Sequence, residues 1–180
     1  MRLRFTTAAQ VFEAFPTARE EIGHAPSEVH PLVFLKQLQD SSMPEDAIGF
    51  CAYMLPRREA VHWACHCIRT TSGEIEGETE RLIGLAEQWV AEPEEDNRRK
   101  ALEAGMASAA EGPAAWSALA AGWSGGSIIG EPHQPVPPPP HLTAQLVRAA
   151  VLTALAGVPA KQRREHLSSA VQAAVSLIEQ

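Results

Sequence analysis

Six prolines, Pro31, Pro44, Pro56, Pro93, Pro113 and Pro159, each stand directly ahead of a run rich in Ala, Leu and Glu. Proline fixes φ and lacks a backbone donor, so it is tolerated in the first turn of a helix and excluded from helix interiors and central strands. These prolines mark the starts of six of the eight main helices predicted, over 31–39, 44–54, 56–70, 78–91, 93–110, 113–121, 143–156 and 160–179. Thirty alanines and an aromatic content of 6% point the same way, since alanine loses least on entering a helix and strands favour aromatic and β-branched residues. Thr7 with Gln10, and Thr17 with Glu20, have capping-box spacing and predict two short helices, 8–15 and 18–22.

Apolar residues recur at helical intervals. Leu82, Leu85, Ala86 and Trp89 make one stripe, and Leu167, Ala170, Val171, Ala174 and Ile178 another, each the pattern of a helix with one buried face. Between Leu146 and Leu155 apolar side chains go all the way round, so this helix is expected at the centre of the bundle. No segment alternates with period two. Short connections place successive helices antiparallel and adjacent, and the expectation is a single all-α domain over 1–180, a compact array of helical hairpins.

Residues 122–141 interrupt the pattern with Gly122, Gly125, Gly126, Gly130, Pro132, Pro135 and Pro137 to Pro140. They are expected to form an extended connection across the surface, joining two helices that are not neighbours. Pro132 with Pro135, and Pro135 with Pro138, also have the PxxP spacing read by aromatic grooves. Gly122-Trp123-Ser124-Gly125-Gly126 matches G-x-S-x-G, but a nucleophile elbow needs a strand before the serine and a helix after it. A helix ending at Gly122 as its C-cap, followed by a turn at Gly125-Gly126, suits the residues better.

Bulk chemistry narrows the functional classes. A net charge of -7 from 15 basic and 22 acidic side chains presents a repulsive average field to a polyphosphate and argues against nucleic-acid binding. The most apolar stretch, 142–156, is shorter than the roughly 20 residues a bilayer span requires, so no membrane insertion is expected. Neither signal-peptide pattern nor disulfide framework emerges, and Cys51, Cys65 and Cys67 read as reduced thiols of a cytoplasmic protein. Two acidic runs, Glu74, Glu76, Glu78 and Glu80, then Glu92, Glu94, Glu95 and Asp96, suit helix N-termini, with an acidic docking surface as the alternative.

The densest set of ligand-type side chains is Glu59, His62, Cys65, His66 and Cys67. On a helix advancing about 100° per residue, Cys65 and Cys67 point about 160° apart and cannot share an ion, whereas Glu59, His62 and His66 share a face. That face could hold a metal if another element completed the set. Glu59-x-x-His62 and Glu21-x-x-His24 echo the Glu-x-x-His pairs of di-iron bundles, though composition alone accounts for two such pairs. Trp63 lies on a third side, covered by a neighbouring helix or forming with Glu59, His62 and His66 a patch for a partner.

The run from Phe50 to Cys65, FCAYMLPRREAVHWAC, together with Trp123-Ser124-Gly125-Gly126-Ser127 and Val136-Pro137-Pro138-Pro139-Pro140, resembles an uncharacterised bacterial family associated with type VI secretion gene clusters. The likeness extends from about Ala47 to Ala156. It implies a role accessory to a secretion apparatus and carries no known chemistry. In that family the position of His62 is often aromatic, so the resemblance argues against a ligand there. The resulting expectation is a protein-binding or adaptor module with no cofactor, using Glu59, His62, Trp63 and His66. The alternatives are a metalloprotein built on Glu59, His62 and His66, and a structural subunit that homo-oligomerises through the Trp63 face.

Overall fold

A computed structural model describes residues 3–109, 111–127 and 134–179. Among them are ten helices and no strand: α1 (Ala8–Ala14), α2 (Ala18–Glu21), α3 (Pro31–Gln39), α4 (Asp46–Met54), α5 (Arg57–Thr71), α6 (Gly77–Ala91), α7 (Glu95–Ala107), α8 (Pro113–Gly122), α9 (Leu142–Ala156) and α10 (Ala160–Glu179). The bounds of α3 and α10 are those the sequence predicts. Pro31 and Pro113 occupy first turns, where a missing donor costs nothing. None of the described helices is long and apolar enough to cross a membrane.

Ion pairs and glycines set the hairpins. Arg58, at the start of α5, donates to the carbonyls of Val90 and Ala91 at the end of α6. Arg69, at the other end of α5, grips Glu80 and Glu87 through four contacts of 2.7–2.9 Å. The paired residues run in opposite order, so the two helices are antiparallel. In the next hairpin Gly105 of α7 faces Leu119 of α8, and Gly122 faces Leu102. A Cβ at Gly122 would stand 2.6 Å from the Leu102 Cβ and 2.7 Å from its Cα, so glycine is what lets these backbones approach. Gly122 thus belongs to the last turn of α8, and Trp123 is the C-cap, a correction to the expected cap. Arg98, 4% exposed, lies between the two helices. Its guanidinium donates to the Gly122 carbonyl and to both Glu95 oxygens.

The expected centre is displaced. All nine residues of α4 are buried, whereas α9 buries one broad face, Val147, Ala150, Val151, Ala154 and Leu155 included, and leaves Thr153 and Ala156 exposed. Helix α9 still touches α4, α5, α8 and α10. Apolar residues circling a helix therefore mark several neighbours rather than complete enclosure. Around α4, the rings of Phe12, Phe34 and Phe50 meet at centroid distances of 5.0–6.1 Å, within the range of edge-to-face and tilted contacts.

The connection after α8 also differs from expectation, because α8 and α9 pack directly against each other. Its ends are held together: Arg57 donates to the Ser124 carbonyl at 2.6 Å and to the Pro140 carbonyl at 3.4 Å. Most of residues 134–140 are exposed, with Pro138 buried. The PxxP pair that uses Pro132 lies outside the described residues. At α1 the capping box is replaced: the Ala8 and Ala9 amides donate to the carbonyls of Val29 and Ser27, and Gln10 accepts from Thr6 rather than Thr7. Backbone from 27–29 already satisfies the helix start, so the Thr7 hydroxyl is not needed there.

Substituting the two kinds of helical glycine should move stability in opposite directions. Gly122→Ala forces Cβ into the Leu102 backbone and is expected to destabilise by about 1–3 kcal/mol. Gly84→Ala meets nothing within 4 Å and should stabilise by about 0.5–1 kcal/mol. Urea unfolding midpoints of the two variants check both signs.

Candidate functional site

Helix α5 is packed by α6, α8, α9 and α10, and this determines which of its side chains remain available. Ala60, Val61, Trp63, Ala64, Cys65, Cys67 and Ile68 are buried. The buried arc is wider than the apolar stripe legible in the sequence, because Trp63 and Cys67 extend it. His62 and His66 stay exposed and Glu59 half-buried, a polar stripe one turn apart at each step.

Trp63 does not reach solvent. It is 0% exposed, and its indole N–H donates to the Ala170 carbonyl of α10 at 2.8 Å. The covering helix is therefore α10, and the indole cannot present its face to a partner in the way an exposed tryptophan patch requires. An indole contact of this kind places apolar area in the core and satisfies the one polar atom of the ring. Beside the buried ring lies a groove of about 290 Å³, lined by Trp63, by His62 and His66 on α5 and by Ala173, Ser176 and Leu177 on α10. Of the four sequence-predicted partner residues, His62, Trp63 and His66 meet at this groove; Glu59 does not line it. The α10 side was missed because no local pattern says which helix will lie over Trp63.

Other candidates are committed elsewhere. Among the described residues no group of three His, Cys, Asp or Glu is placed to hold a metal, Glu59, His62 and His66 included. His24 contacts Asp46 at 2.7 Å, and Glu21 accepts from the Tyr53 hydroxyl at 2.9 Å and the Gln145 amide at 2.7 Å; the two Glu-x-x-His pairs stay apart. Ser124 is buried and donates to the Ala121 carbonyl at 2.7 Å, with helix before it and no strand, so the G-x-S-x-G match is a helix end. The acidic runs are partly paired: Glu78 with Arg81, Glu80 with Arg69, and Glu95 with Arg98 and Arg99. Hydrogen bonds from Arg98, then Arg99, hold the Glu95 carboxyl down at about 2.

The three cysteines are free and buried. Cys65 and Cys67 both lie in the buried arc of α5, and Cys51 lies in α4. Burial pushes the Cys65 and Cys67 thiols up to about 12 from 9.0, and Cys51 is raised too. Only the thiolate is nucleophilic, so these groups are inert near neutral pH.

These thiols carry a signed pH prediction. Their folded pKa values lie above the unfolded ones, so the stability they contribute is full below about pH 9 and is lost as pH rises toward 12. Tyr53, raised by burial to about 12 from 10.0, adds in the same direction. Denaturation midpoints should hold level through pH 8 and fall above 9. A chromogenic disulfide reagent at pH 8 should find no reactive thiol in the native chain and three after unfolding.

Comparison with curated proteins and with solved structures gave no match. A family model matches residues 34–178, well over half of the chain, a span that takes in the Phe50 to Cys65 run, the Arg57 anchor and both walls of the groove. The chain belongs to the Family of unknown function (DUF6931).

Proposed function

We propose that this chain is a protein-binding adaptor module, acting in the bacterial cytoplasm as an accessory to a secretion apparatus and engaging its partner through the groove between α5 and α10. The observation that carries the proposal is the pair His62 and His66. Both imidazoles are exposed, stand one turn apart and have no side-chain hydrogen-bond partner among the described residues, at a recess lined by Trp63. A recess of about 290 Å³ has room for one bulky apolar side chain, the usual anchor of a protein–protein hot spot. Polar neighbours on the partner would meet the imidazoles at the rim. The secretion setting is supported by the likeness of the Phe50 to Cys65 run, and the adaptor role by the way the serine and cysteines of the chain are used internally.

The test fills the recess without touching the core. Ser176 is exposed and lies on the α10 wall. A Ser176→Arg variant should keep the Trp63 emission of the native fold and capture at least tenfold less of the proteins that the wild-type chain retains from its native cells. Identical captured sets from both forms would overturn the docking role of the groove.

A further inference from the structure

A second recess, of about 490 Å³, opens where the N-terminal segment, the end of α4 and the starts of α5 and α9 converge. Its inner walls are apolar, formed in part by Phe15, Tyr53, Leu55 and Ala144. Two arginines, Arg4 and Arg57, line it, and both are exposed residues. The Arg4 guanidinium lies 5.0 Å from the Phe5 ring centroid and 5.9 Å from that of Phe15, which holds it in place through cation–π attraction. Arg57 is fixed by the carbonyls of Ser124 and Pro140, acceptors that carry no net charge.

Some arginines meet a carboxylate, whereas Arg58 and Arg163, like Arg57, donate to backbone carbonyls. Arg69, Arg81, Arg98, Arg99 and Arg148 each meet a glutamate. Neither Arg4 nor Arg57 forms an ion pair among the described residues, in a chain with 22 acidic side chains. The balance of charge at Arg4 agrees: burial and then the like charge of Arg57 lower its pKa, and Glu59 raises it by less. Two guanidiniums lining one recess attract a negative group, which arginine recognises through its planar fork of donors. A recess of this size lies within the range of small-molecule sites.

We propose that this recess binds a small organic anion, with a phosphate or carboxylate head between Arg4 and Arg57 and an apolar body against Phe15 and Tyr53. The anion relieves the repulsion between the two guanidiniums, and its body displaces water from the apolar walls. The site stands apart from the α5–α10 groove and does not depend on that groove's role.

Calorimetric titration of the full chain with phenyl phosphate tests it, with inorganic phosphate and benzyl alcohol as the head alone and the body alone. Phenyl phosphate should saturate one site and bind at least tenfold more tightly than either fragment. Arg4→Gln should weaken it at least fivefold, Arg57→Gln should act in the same direction, and Arg19→Gln, exposed on α2 and not lining the recess, should leave it unchanged. Arg57→Gln also gives up two hydrogen bonds within the fold, whereas Arg4→Gln gives up cation–π contacts only, so Arg4→Gln, checked by circular dichroism, is the cleaner reading of the ligand contact. Absence of saturation, affinity no better than that of the fragments, or undiminished binding by folded Arg4→Gln would each overturn the proposal.

Discussion

The close approach of α7 and α8 is the constraint on which the rest of the structure depends. Interaxial distance between helices follows the size of the side chains at the contact, and here Gly105 and Gly122 reduce it until Leu102 and Leu119 lie against opposing backbone. The rest of α8 continues the theme with buried Ala114, Ala115, Ala118, Ala120 and Ala121. A helix with so little side-chain volume can accept α5, α6, α7 and α9 around itself. Larger residues would push those neighbours apart and open voids between them, each costing the contacts of its lining.

Long-range polar contacts then fix what small side chains alone would leave free to slide. Arg69 draws α6 onto α5 through two carboxylates, an exposed arrangement in which each pair is worth at most about 1 kcal/mol. The Arg98 guanidinium is different, being buried among Glu95 and the Gly122 carbonyl. Removing a partner from a buried charge costs far more than the pair gains, so Arg98 acts chiefly by penalising other registers of α7 on α8. The Trp63 indole plays the same part for α10, since one donor and one carbonyl, Ala170, meet only at one position along the helix.

How much was legible in the sequence depended on whether the determining contact was local. Proline placement and alanine runs gave α3 and α10 their bounds, because a missing amide acts within a single turn. Which helix covers Trp63, burial throughout α4 and adjacency of α8 with α9 were not legible, since each depends on which distant element arrives. Thr7 illustrates the limit: its spacing to Gln10 is right for a cap, yet carbonyls from Ser27 and Val29 reach the helix start first. His62 and His66 were visible as candidates, but the α10 wall opposite them, with Leu177 and Ser176, had no signature of its own.

The hold of Arg57 on both Ser124 and Pro140 has a consequence for how this architecture can diversify. A chain tied at its two ends by one side chain behaves as a closed loop, and lengthening such a loop adds entropy cost only logarithmically. Added length between the two ties would therefore cost little, as long as the Val136 amide keeps its bond to the Ser127 hydroxyl and Pro138 stays buried. The tolerance is thus one of length alone: the residues beside each tie remain committed, and a single arginine side chain at the start of α5 sets where the two ends meet.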